Sequence, residues 1–168
     1  AALAIAGESG RLPGAVPGLA MSAALASPGG WRAELAMSAF AVAEASDASG
    51  QTSLRWLAAA AAGCPPGLAR AGWSLAGCGG LEAGAVLARG AGFARNQRDR
   101  ELMVDGFGRL RIERRLVGRT FAALGVSVRL AIRRPQFGYE EASGRFQPLY
   151  APTWAAATAD IGVGAHFP

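Results

Sequence analysis

RTFAALGVSVRLAIR, Arg119 to Arg133, alternates along its length: Ala122, Leu124, Val126, Val128, Leu130 and Ile132 occupy one register, and Phe121, Ala123, Gly125, Ser127, Arg129 and Arg133 the other. Alternate side chains leave a pleated backbone on opposite faces, so a period of two over this length specifies a strand with one oily face and one small or charged face. The last segment, ATADIGVGAHFP, repeats the pattern, with Ile161, Val163, Ala165 and Phe167 opposite Thr158, Asp160, Gly162, Gly164 and His166. Long strands that are polar on one side only, closing on an aromatic residue, predict a transmembrane β-barrel of an outer membrane.

Composition agrees with that prediction. A chain of 168 residues makes one domain, residues 1–168, and suffices for a closed sheet of about eight strands but not for a large pore. Much of the apolar content is Ala, and Gly fills 24 positions; small residues let the strands of a tight barrel curve and leave room for interior side chains. The longest apolar run, Trp56 to Ala62, is far short of the roughly 18 residues that a spanning helix needs. Ala1 to Gly7 reads as the tail of a signal-peptide apolar region, without a basic segment before it, so a mature or trimmed chain is expected.

All 17 basic residues are Arg, and the formal net charge is +5. Nucleic-acid binding would need that charge clustered with aromatic residues or on a helix face. The two densest clusters, Arg95 to Arg100 and Arg109 to Arg119, instead fall in a loop and along a strand, so no nucleic-acid partner is expected. Two cysteines, Cys64 and Cys78, suit an oxidising compartment in which one bridge could form; two buried free thiols are the alternative. One His and no Cys-x-x-Cys give a metal site little support, and no cofactor is expected.

The alternation and the turn residues lay out eight strands. Ala1 to Ala6 is a short first strand, followed by a loop over Gly7 to Gly14. Ala15 to Ser27 is the second, turned by Pro28-Gly29-Gly30 into the third, Trp31 to Ala45. A loop over Ser46 to Gln51 leads to the fourth, Thr52 to Gly63, which a Pro-Pro-Gly turn follows. The fifth runs from Arg70 to about Arg89, with a register slip expected at Cys78-Gly79-Gly80. A loop over Gly90 to Arg100 precedes the sixth, Glu101 to Leu116; Val117-Gly118-Arg119 turns into the seventh. Arg134 to Pro152 is the longest loop, before the eighth strand. Trp31 to Ala45 is rich in helix formers, but helical spacing would group Trp31, Leu35, Ser38 and Val42, a poorer stripe than the alternating one.

Connections that run longer, short, longer, short, longer, short, longest give an independent check. Outer-membrane barrels have short periplasmic turns and longer external loops, so with both termini periplasmic every connection falls on the correct side. On this map the inward register collects Arg32, Glu34, Arg55, Glu82, Asp105, Arg109, Arg111, Glu113, Arg129 and Asp160. An eight-stranded barrel is only wide enough for side chains, and buried charges must be paired, so these should interlock as a plug with no open pore. A narrow ion path or a small polar-ligand site is the sharper alternative. His166 with Ser127 or Asp160 could form a hydrolytic group, against a solvent-facing or interfacial imidazole. Trp31, Trp56, Trp73, Trp154 and Tyr150 are candidates for aromatic girdles, or for core packing.

CGGLEAGAVLARGAG, Cys78 to Gly92, with Cys64 and the closing GVGAHFP, resembles a family of uncharacterised outer-membrane β-barrel proteins of myxobacteria and related high-GC Gram-negative bacteria. The resemblance implies a membrane barrel and a Cys64 to Cys78 bridge, and carries no active site to transfer. The C-terminal strand, with Ile161, Val163 and Phe167, also resembles the signal read by the barrel-assembly machinery, although Pro168 follows the aromatic residue. The expectation is therefore an all-β, antiparallel up-and-down barrel of about eight strands. It would sit monomeric in outer-membrane lipid with a structural, adhesive or scaffold role. A soluble lipocalin-like barrel for an apolar ligand would need the reverse sidedness, oily inside and charged outside. A lipid-modifying enzyme would need His166.

Overall fold

In the computed structural model, which describes residues 1–47, 50–91, 98–140 and 146–167, the strands are β1 (Ala2–Ser9), β2 (Ala15–Ala26), β3 (Arg32–Phe40), β4 (Ala43–Asp47), β5 (Gly50–Cys64), β6 (Leu68–Arg70), β7 (Trp73–Ala91), β8 (Arg98–Arg115), β9 (Thr120–Arg133), β10 (Phe137–Glu140), β11 (Phe146–Tyr150) and β12 (Ala155–Ala165). Eight of them form a ring in the order β1, β2, β3, β5, β7, β8, β9, β12, and β12 pairs back onto β1. All neighbours are antiparallel. Closure leaves no sheet edge open along the wall.

The alternation that specifies the strands also sets their facing. Along β9, Leu124, Val126, Val128, Leu130 and Ile132 are exposed, while Phe121, Ala123, Gly125 and Ser127 are buried. The same outward oily face continues through Leu3 and Ile5 of β1, Leu19 and Met21 of β2, Leu35 and Met37 of β3, and Ile161 and Val163 of β12. Trp31 and Trp73 lie exposed at the end of the barrel with the short turns, and Trp154 at the end with the loops. Trp31 to Ala45 is strand, not helix, interrupted after Phe40.

Among the described residues three one-residue bulges interrupt the barrel wall, and none sits where the sequence placed one. The ladders of β7 run unbroken through Cys78-Gly79-Gly80, because Trp73, Leu75, Leu81 and Leu87 already share one parity. The slips occur in other strands instead. β5 pairs Leu57 with Ala39 but Leu54 with Ala43, so one extra residue lies between β3 and β4 and turns both Phe40 and Ala43 inward. A second lies between β5 and β6, at the Cys64-Pro65-Pro66-Gly67 corner, and a third at Val104/Asp105 between β8 and β9.

All four expected loops are partly sheet: β4 reaches Asp47 and β5 starts at Gly50, while β7 runs to Ala91 and β8 starts at Arg98. β1 continues to Ser9, and part of the stretch from Arg134 to Pro152 forms the hairpin β10–β11. Of the loops expected over Ser46 to Gln51 and Gly90 to Arg100, residues 48–49 and 92–97 lie outside the described residues, as does part of the Arg95 to Arg100 cluster.

Candidate functional site: a charged lumen under an apolar cap

Nine of the ten charged residues assigned to the interior lie there. Toward the turn end, Arg32 donates to Glu113 at 3.2 Å, and Glu113 also takes Arg111 at 3.0 Å. Arg111 reaches Glu34 at 3.6 Å; Arg109 spans Glu34 at 3.0 Å and Asp160 at 2.8 Å. The six side chains make a continuous zigzag across the lumen, contributed by β3, β8 and β12. Gly125 makes room for it: a Cβ there would lie 2.6 Å from the Asp160 carboxylate.

A second layer sits deeper. Arg129 contacts Glu82 at 3.3 Å, Ser127 at 2.7 Å, and Thr158. Arg11, fully buried, pairs with Glu82, with Asp105 at 2.6 Å and with Glu8 at 3.4 Å, and its guanidinium lies 4.9 Å from the Trp56 ring centre. Gly10 has φ of 112° and Gly14 of 76°, backbone settings that favour glycine. Between them the loop after β1 folds inward and delivers Arg11 and Leu12 to the lumen. Five guanidiniums thus meet six carboxylates in the two layers. A void of about 50 Å³ remains near Glu34, Ser38, Glu82, Arg109 and Arg129, room for about one or two waters.

Toward the loop end the lumen is apolar. Leu12, Phe40, Leu54, Trp56, Val86, Met103 and Phe137 pack as one buried cluster, with Tyr150 against it. Burial and the nearby Glu8 carboxylate push the Tyr150 phenol up to about 12.

Arg55 corrects the sequence assignment. Leu54 and Trp56 are fully buried and Arg55 between them is exposed, so the inward face of β5 at this height is the oily one. Alternation fixes which residues share a face but not which face is inside, and the apolar cap reverses the expected choice. It also takes Trp56 out of the girdles. Conversely, Glu8 and Arg11, within the expected loop over Gly7 to Gly14, are buried in the lumen. Glu8 carries on the inward parity of Ala6 opposite Leu3 and Ile5, a signal the sequence holds; Arg11 follows glycine in irregular backbone and has no such signal.

Cys64 and Cys78 are joined by a disulfide, both buried, stapling β5 to β7 at the bulged corner. His166 is exposed, its ring 4.7 Å from that of Phe121 and its amide donating to the Arg119 carbonyl. Ser127 and Asp160 are instead engaged by Arg129 and Arg109, so the hydrolytic grouping is not assembled. Arg109, Arg111 and Arg129 are each about one-sixth exposed or less, the opposite of lipocalin-like sidedness.

Neither a protein-family model nor a curated protein sequence matches the chain. Solved structures do. Neisserial surface protein A is 11% identical with a TM-score of 0.56, over 99% of this chain and 94% of that one. A major outer membrane protein from Thermus thermophilus is 13% identical with a TM-score of 0.62, over 99% of each chain. The fold is that of an outer-membrane β-barrel. Its filling is in two parts, charged layers toward one end and an apolar cap toward the other.

Proposed function

We infer that this chain is a small monomeric barrel of the bacterial outer membrane, closed to solutes by its own side chains, with a structural, adhesive or scaffold role. The outward oily face flanked by tryptophans matches the band and girdles that lipid requires. With both termini periplasmic, the short turns face the periplasm and the longer connections the exterior. The observation that carries the closed lumen is the Arg32 to Asp160 zigzag, continued by Arg11 and Arg129 and sealed by the Trp56 cluster. A lumen closed in this way leaves the protein's work to its surfaces. Ile161, Val163 and Phe167, exposed along and just beyond β12, are the residues offered to the assembly machinery. Kinship with the myxobacterial and related high-GC barrels rests on the Cys78 to Gly92 segment and the closing residues.

Conductance across planar lipid bilayers tests the closed lumen. The unaltered protein, shown to be folded by heat-modifiable gel mobility, is expected to give no discrete channel steps; regular steps would overturn the reading. In cells, Phe167→Ala is expected to lower the amount of assembled barrel, while an unchanged amount removes Phe167 from the assembly signal.

A further inference from the structure

At the turn end the outward register changes character within one step. Leu68, Leu75 and Ile112 are cross-strand partners on β6, β7 and β8, all exposed and apolar. The next outward row is Arg70, Trp73 and Arg114, again direct partners and all exposed. Arg114 lies over the Trp73 ring at 4.7 Å, a contact that orients the guanidinium while leaving its donors unused. Neither Arg70 nor Arg114 has a carboxylate partner among the described residues, and the nearest acid in the row's ladder, Glu113, faces inward and is held by Arg32 and Arg111. Two unneutralised guanidiniums therefore flank one interfacial indole at the boundary of the oily wall.

We propose that Arg70, Trp73 and Arg114 form a headgroup site for an anionic glycerophospholipid of the periplasmic leaflet. A guanidinium offers a phosphodiester paired donors in a fixed fork, the indole sits at headgroup depth, and Leu68, Leu75 and Ile112 receive the acyl chains. Charge complementarity selects this occupant over a zwitterionic lipid, whose ammonium the two arginines repel. The site rests on the membrane reading given above, since a barrel in water would have no lipid beside Trp73.

Bromine on a lipid chain quenches nearby tryptophan, and the difference between the unaltered protein and Trp73→Phe isolates the Trp73 signal. In phosphatidylethanolamine vesicles, a small fraction of brominated phosphatidylglycerol is expected to quench Trp73 as though enriched roughly thirtyfold over the same fraction of brominated phosphatidylethanolamine, the order expected for two basic residues at a membrane surface. The double variant R70Q/R114Q is expected to lose that preference. Arg119→Gln, in the neighbouring periplasmic turn, is expected to keep it. Equal quenching by the two lipids overturns the site, as does an equal loss in Arg119→Gln, which would mean diffuse attraction. If R70Q/R114Q does not fold, the single variants R70Q and R114Q replace it: a reduced preference in either supports the site, and full retention in both overturns it. Failure of the unaltered barrel to insert, seen by gel mobility, overturns the membrane reading and the site with it.

Discussion

Arg11 holds the middle of the lumen although no pattern in its neighbourhood announces it. Its guanidinium serves Glu8, Glu82 and Asp105 at once, so Arg11→Ala would strand the Glu8 and Asp105 carboxylates and leave Glu82 to Arg129 alone. Breaking a buried ion pair from one side costs about 3–5 kcal/mol, and a fall of that order is expected in the urea unfolding free energy in lipid vesicles. Arg55→Gln, by contrast, removes an exposed charge and is expected to stay within about 0.5 kcal/mol of the parent in the same assay; the pair of variants separates true interior charge from charge that merely alternates. Gly125→Val pushes a side chain onto the Asp160 carboxylate and is expected to cost about 1–3 kcal/mol as overpacking. Tyr150 supplies a pH dependence. Its folded phenol ionises near 12, against 10.0 ordinarily, so the folded state keeps a proton that the unfolded chain releases. The stabilisation is present below pH 10 and is lost as pH rises from 10 toward 12. Tyr150→Phe should flatten that decline in an alkaline unfolding series.

Among the elements, β5 is where sequence and structure part most. Both of its flanks are bulged, after β3 and before β6, and each bulge flips the parity that alternation would carry forward. A bulge depends on what the partner strand presents, so a strand read alone, such as Trp31 to Ala45, gives no sign that Phe40 and Ala43 will face the same way. β12, β2 and β9 up to Ala131 have no such interruption and keep the facing their residues specify. The disulfide closes the corner where β5 breaks. Its cysteines are 14 residues apart, and chain-entropy arguments for a loop of this size give about 3 kcal/mol, the loss expected on unfolding Cys64→Ser/Cys78→Ser. Because both cysteines are buried, dithiothreitol without denaturant is expected to leave the bridge intact, as mass-tagging of free thiols would read.

At the scale of the molecule, the barrel is an inversion of a soluble protein, with its oily residues outward and its ions interlocked within. Such an arrangement is stable only where the exterior is itself apolar, which is why the facing of Leu124, Val126, Val128 and Leu130 bears on location as well as fold. The sequence by itself determined strand identity, the eight-stranded count, the outward oily register and nine of the ten interior charges, because alternation is a local property and an eight-stranded barrel has little choice of size. Tertiary structure alone decided that the loop after β1 enters the lumen with Arg11, that β5 turns Trp56 in and Arg55 out, and that the charged layers end beneath an apolar cap. Those outcomes depend on which side chains meet across the lumen from strands far apart in the chain, and no single strand's period encodes that meeting.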